Sequence, residues 1–146
     1  MSATTVEQRL LQAQAGDVDS LDLSHLSLAD VPAQVRSLPC SRFDFSHNPG
    51  LLLQPNRLPL NVTSLTLSAC ELKQPPECLV MLGSLERLDL SNNKLQTLPG
   101  WMFAPTTFPL LTHCNLSHND IERLSLWDHP KLQMLQLQEN TLVELG

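Results

Sequence analysis

The sequence predicts an α/β solenoid with a parallel concave β-sheet of about six short strands, one strand per coil, and an N-terminal capping helix. Three observations predict it. The pattern LxxLxLxxNxLxxLP runs from Leu85 to Pro99 without a mismatch. Its central strand position recurs at Leu21, Phe43, Leu65, Leu88, Cys114 and Leu135, in steps of 22, 22, 23, 26 and 21 residues. Apolar residues make up 42% of the chain and aromatics only 4%, with no tyrosine. The core must therefore be built from leucine and smaller side chains, as expected where one narrow slot repeats along a chain.

At 146 residues the chain is one structural unit. Residues 1–17 are expected to form the helical cap, and residues 18–146 a repeat domain of about six copies. Thr4 with Glu7, or Thr5 with Gln8, offers a capping box before Val6, Leu10 and Ala13 at helical spacing, and Gly16 offers a stop. A helix over about residues 5–15 follows, with its apolar face over the open end of the first coil.

Within each copy the second strand position is Leu23, Phe45, Leu67, Leu90, Leu116 and Leu137. Three residues before the central position stand Val18, Cys40, Val62, Leu85, Leu111 and Leu132. A turn column reads Leu26, Asn48, Cys70, Asn93, Asn119 and Asn140. An amide there can bond the neighbouring coil's backbone, and a thiol can substitute as a weak donor. Leu26 cannot, which marks the first copy as atypical. Leu28, Leu72, Leu95, Ile121 and Leu142, then Val31, Leu98, Leu124 and Leu145, close the coils on the outer side. The second copy departs at Pro49-Gly50-Leu51-Leu52-Leu53-Gln54-Pro55, where its register stays open.

From Val18 to Leu145 these columns resemble the leucine-rich repeat family, in its intracellular kinds with repeats a little over twenty residues long. The resemblance implies a curved stack with the sheet on the concave side and loops, short helices or 3₁₀ turns on the convex side. It also implies a surface that binds proteins. The cysteine-rich caps of secreted members are missing, which favours an intracellular reading.

The sixth copy ends without a cap, so the sequence suggests either a longer parent protein or an end that docks or self-associates. The longest step holds Trp101, Phe103 and Phe108, the chain's only aromatic cluster. Phe103 is expected to fill the convex core. Trp101 is either packed within the loop, the favoured reading, or an exposed partner anchor. Trp127 is expected to be partly buried between two coils.

A net charge of −6 and no run of basic residues argue against nucleic acid and anionic membranes. Met1 to Glu7 have neither the basic nor the apolar stretch of a secretory leader, so none is expected, and no apolar run of about 18 residues occurs. Cys40, Cys70, Cys78 and Cys114 lack metal or redox spacing, and three fall at core positions. Buried free thiols fit a reducing compartment, so the cytoplasm is expected. Asn61-Val62-Thr63 and Asn115-Leu116-Ser117 are glycosylation sequons that matter only outside it. No catalytic motif occurs and no cofactor or metal is expected. His25, His47 and His118 share one column, but two imidazoles make a poor zinc site. An open sheet also disfavours a small-molecule ligand.

Residues flanking the paired apolar positions point outward from the sheet. The concave face therefore presents Asp22, Asp44, Thr66, Asp89, Asn115 and Gln136 in one column. Ser20, Arg42, Ser64, Arg87, His113 and Met134 form the column before it. Six strands span about 24 Å, enough for a segment of another protein. Arg42 beside Asp44 and Arg87 beside Asp89 are candidate contacts, although the recurring Asp also suits a scaffold role. The candidate partner-binding residues are Asp22, Arg42, Asp44, Thr66, Arg87, Asp89, His113, Asn115, Met134 and Gln136, with Trp101 on the long loop. The sequence thus predicts a non-enzymatic intracellular adaptor or scaffold whose partner is unidentified. The alternatives are a recognition domain of a larger enzyme, ubiquitin ligase or cytoskeletal or ciliary component, or a fragment of a surface receptor.

Overall fold

A computed structural model of the chain describes residues 3–16, 18–124 and 129–145. Helix α1, Ala3–Gln14, comes first. The strands follow as β1 Ser20–Asp22, β2 Arg42–Asp44, β3 Ser64–Thr66, β4 Arg87–Asp89, β5 His113–Asn115, β6 Arg123–Leu124, β7 Met134–Gln136 and β8 Glu144–Leu145. Strands β1, β2, β3, β4, β5 and β7 pair in that order as one parallel sheet. The register is the one the repeat columns require. Leu21, Phe43, Leu65, Leu88, Cys114 and Leu135 lie opposite one another in turn across the five pairings. Strand alternation turns these residues inward, and all but Leu135 are buried. In the inward column behind them, Leu23, Phe45, Leu67, Leu90 and Leu116 are buried as well.

The amide column stitches the coils together. Leu26 and Leu28 both donate their N–H groups to Asn48 Oδ1 at 3.0 Å, and Asn48 Nδ2 donates to Leu23 O at 3.0 Å and Phe45 O at 2.8 Å. Asn93 repeats the pattern toward Cys70 and Leu72. Asn119 and Asn140 accept from Leu95 and Ile121. Each amide serves the coil before its own, and this explains Leu26. The first coil has no preceding coil to serve, so an apolar side chain, here buried, suits the slot. Cys70 substitutes as expected, its Sγ donating to Phe45 O at 3.3 Å.

The residue before each of these turn positions is left-handed. His25, His47, Ala69, Asn92, His118 and Glu139 have φ between 55° and 58°. The reversal at the end of each strand demands that geometry, and histidine and asparagine tolerate it better than most.

On the convex side, 3₁₀ turns at Ala33–Ser37, Glu77–Met81 and Gly100–Phe103 each follow a proline, Pro32, Pro76 and Pro99. The ring pre-sets φ for the turn. Beyond these turns, β6 and β8 form a second, two-stranded parallel ladder. The second copy resolves by sliding one residue. Leu51 is buried where other copies place an apolar residue one position earlier, and Leu52 bridges to Asp30.

Three details differ from expectation. Helix α1 starts at Ala3, so Thr4 and Thr5 lie in its first turn rather than capping it; Gly16, with φ 81°, is the stop. Leu10 and Ala13 cover the first coil, but Val18, at an inward column position, stays half exposed. In the long loop, Met102 and Phe108 fill the convex core and Phe103 is only half-buried, because the 3₁₀ turn aims Met102 inward. His129, which the sequence did not single out, is buried there and donates from Nε2 to Met102 O at 2.6 Å. Trp127 lies outside the described residues.

Candidate functional site

Strand pleating places the outward residues of the concave sheet in two straight rows. One row is Ser20, Arg42, Ser64, Arg87, His113 and Met134, aligned strand by strand. The other is Asp22, Asp44, Thr66, Asp89, Asn115 and Gln136. Two shallow depressions run along them. One of about 180 Å³ lies over β1 to β3, and one of about 310 Å³ over β3 to β5 and β7, with Ser64 and Thr66 common to both. The structure thus brings ten of the sequence-derived candidates onto one surface.

The two rows are chemically unequal. Four of the second row's six side chains are turned back onto the backbone. Asp22 Oδ1 accepts from Ser24 N, Asp44 Oδ1 from Ser46 N, Asp89 Oδ1 from Ser91 N and Asn115 Oδ1 from Ser117 N, at 2.9 to 3.0 Å. Ser24, Ser91 and Ser117 add their hydroxyls. This is the sheet-end turn chemistry of Asx residues, and it gives the row a structural job. Desolvation opposes ionisation of Asp22, but the Ser24 hydrogen bonds and the Arg9 and His25 charges outweigh it and hold its carboxyl below the ordinary value.

The first row is freer. Arg42 and Asp44, neighbours on this face, form no ion pair with each other; Arg42 Nε faces Asp19 Oδ2 of the first coil at 3.5 Å. Asp44 is committed to Ser46, and Asp19 stands on the neighbouring coil beside Arg42. Arg87 likewise makes no ion pair with Asp89 and is exposed among the described residues. His113 Nδ1 lies 2.8 Å from Thr112 Oγ1, which fixes its ring, and Met134 is half exposed. Arg87, His113 and Met134 thus adjoin across β4, β5 and β7 as a cation, an imidazole and an apolar thioether.

Trp101 is elsewhere. It is half-buried in the convex loop, edge-on to Phe108 with centroids 6.2 Å apart, so it packs in the loop rather than standing free as an anchor. His25 and His47 are neighbours as expected, stacked at 4.2 Å between centroids. Among the described residues no cluster of three or more His, Cys, Asp or Glu is placed to hold a metal ion, and no helix is long and apolar enough to cross a membrane. All four cysteines are free, and burial pushes each thiol up, that of Cys114 to about 12. One feature the repeat columns did not signal is a depression on the convex side, beside the irregular second copy.

Comparison with known proteins agrees with this geometry. The profile of the family described as Leucine Rich Repeat matches residues 84–104. Receptor-like protein 18 of Arabidopsis thaliana is 32% identical over 119 residues, covering 81% of this chain and 13% of that protein. Receptor like protein 26 of the same plant is 30% identical over 117 residues, covering 77% of this chain and 14% of that one. The chain therefore spans only a small part of these relatives. A leucine-rich repeat protein of Leptospira interrogans superimposes with a TM-score of 0.74 at 24% identity, over 97% of this chain and 36% of that one. The leucine-rich repeat domain of APL1B superimposes with a TM-score of 0.62 at 17% identity, over 100% of this chain and 49% of that one. The profile match, the relatives aligned over about four fifths of the chain and the superposition agree with the repeat columns, and the chain belongs to the leucine-rich repeat family.

Proposed function

We propose that the chain is a non-enzymatic protein-interaction module that holds a segment of a partner protein across its concave face, as an intracellular adaptor or scaffold. The in-register row Arg42, Arg87, His113 and Met134 carries this reading. Its side chains vary from coil to coil while Asp22, Asp44, Asp89 and Asn115 of the neighbouring row are tied to the backbone, so recognition falls mainly to the first row. The partner segment that suits it presents carboxylates to Arg87 and an apolar side chain to Met134. Such contacts set specificity and association rate more than raw affinity. The thiols support the non-enzymatic part of the reading, since burial pushes them all away from the nucleophilic thiolate.

The test is affinity capture from a native lysate with wild-type protein and an Arg42→Glu/Arg87→Glu variant of unchanged melting temperature. Loss of specific partners from the variant supports the reading. Equal recovery by both removes the concave face from it.

The names of the relatives favour a second reading, in which the chain is a ligand-recognition stretch of a receptor-like protein. Asn61, exposed on a turn, is then the sequon open to a glycan. Asn115 is half-buried, and its amide oxygen is already engaged by Ser117 on the concave face. Intact-mass analysis of the native protein decides: a glycan on Asn61 supports the receptor reading, and a bare Asn61 with four reduced cysteines supports the intracellular one.

A further inference from the structure

The second coil leaves the repeat pattern, and beside it the convex surface folds around a depression of about 290 Å³. That is the lower end of the range for ligand pockets, about 300 Å³. Leu58 and Leu82, both buried, make its floor, while Leu60 and Met81 on its rim are 53% and 61% exposed. Exposed apolar surface rimmed by polar residues, as here by Arg36, Gln54, Asn56 and Arg57, is the pattern of an interaction site.

Charge identifies the occupant. Two of the chain's six arginines, Arg36 and Arg57, line this depression, and among the described residues no carboxylate does. Asp30 neutralises Arg57 from outside at 3.7 Å. Among the described residues Arg36 has only a neutral partner, its Nη1 donating to Asn56 Oδ1 at 3.0 Å. Asn56 itself is left-handed, with φ 65°, and the turn it makes beside Arg57 is part of the departure from the repeat. In a chain of net charge −6, the depression is thus a local reversal of sign around an apolar floor. The geometry points to a docking site for an acidic segment of a partner protein, with an aliphatic side chain seated over Leu58 and Leu82 and an adjacent carboxylate on Arg36. This site lies on the side opposite the concave face and stands independently of it.

The depression carries its own reporters. Cys78 lines it, half-buried, with Sγ 3.6 Å from Leu53 O. Met81 is on its rim, whereas Met134 sits on the concave face. The probes are three blocked heptapeptides, of alternating leucine and glutamate, leucine and lysine, and serine and glutamate. Methyl NMR of the methionines and the rate of Cys78 alkylation by iodoacetamide are the readouts. The leucine–glutamate peptide is expected to shift Met81 saturably, spare Met134 and slow alkylation of Cys78 severalfold, while the other two do neither.

Arg36→Gln should weaken that peptide roughly tenfold, the loss of one charge-assisted hydrogen bond. Arg36→Glu should transfer the response to the leucine–lysine peptide. Arg36 is exposed, so both variants are expected to keep the wild-type melting temperature. The proposal is overturned if Met81 responds to none of the peptides, if the glutamate and lysine peptides act equally on wild type, or if only Met134 moves.

Discussion

Replacing Asn93 by alanine tests the device that joins the coils. Asn93 Oδ1 accepts from Cys70 N and Leu72 N at 3.0 Å, and its Nδ2 donates to the carbonyls of Leu67, Leu90 and Ser91 at 3.0 Å. Two of those carbonyls keep another donor in the variant, Leu90 O from Asn119 Nδ2 and Ser91 O from Ala69 N. Three groups then lose their partner: the N–H groups of Cys70 and Leu72 and the carbonyl of Leu67. An unsatisfied buried polar group costs about 1–3 kcal/mol, and water entering the space left by the amide relieves part of the sum. The expected loss is about 3–4 kcal/mol, a large share of the roughly 5–15 kcal/mol that stabilises a domain.

Urea unfolding followed by far-UV circular dichroism measures this loss as a lower midpoint at unchanged slope. Two further variants separate hydrogen bonding from packing. Asn93→Leu refills the volume and offers no hydrogen bond, so it should lose at least as much as alanine. Asn93→Cys mimics Cys70, whose thiol reaches Phe45 O, and should recover about 1 kcal/mol. An alanine variant that loses less than about 1 kcal/mol, or a leucine variant as stable as wild type, would refute the reasoning.

Acid stability should depend on the first coils. A hydrogen bond from Ser41 Oγ, at 2.7 Å from Asp19 Oδ2, is the main cause holding the Asp19 carboxyl below its ordinary value, and the Asp22 carboxyl is also held low. A lowered folded-state pKa stabilises above the unfolded value near about 4 and is lost as pH falls through the folded value. The melting temperature should therefore drop as pH falls below the unfolded carboxylate value of about 4, and Ser41→Ala should flatten that drop. In native protein, mass spectrometry should find Cys78 alkylated first and Cys114, fully enclosed with its thiol at about 12, last; the reverse order would contradict the packing. Glu139→Gly should raise stability by about 0.5–1 kcal/mol in urea titration, because Glu139 holds a left-handed φ of 58° that glycine adopts freely.

The sequence by itself determined the six strands of the concave sheet, their order and their register, though not the short convex ladder of β6 and β8. Each coil repeats the same two inward apolar positions, and a slip of one residue would turn all of them outward. It also determined the amide column, since a buried turn needs a side chain with both donor and acceptor. The ten concave candidates followed from the same alternation. Pairwise chemistry on that face did not. Arg42 faces Asp19, a residue of another coil 23 positions earlier, rather than Asp44 on its own strand. Leu26 read as an anomaly until the structure showed that each amide serves the coil before it.

Only the tertiary structure could decide which loop residue points inward, Met102 rather than Phe103, since that depends on the phase of a 3₁₀ turn. The convex depression is of the same kind. It gathers Arg36, Asn56, Leu60 and Met81 from coils that the repeat does not align there, and periodicity carries no information about a place where the period breaks.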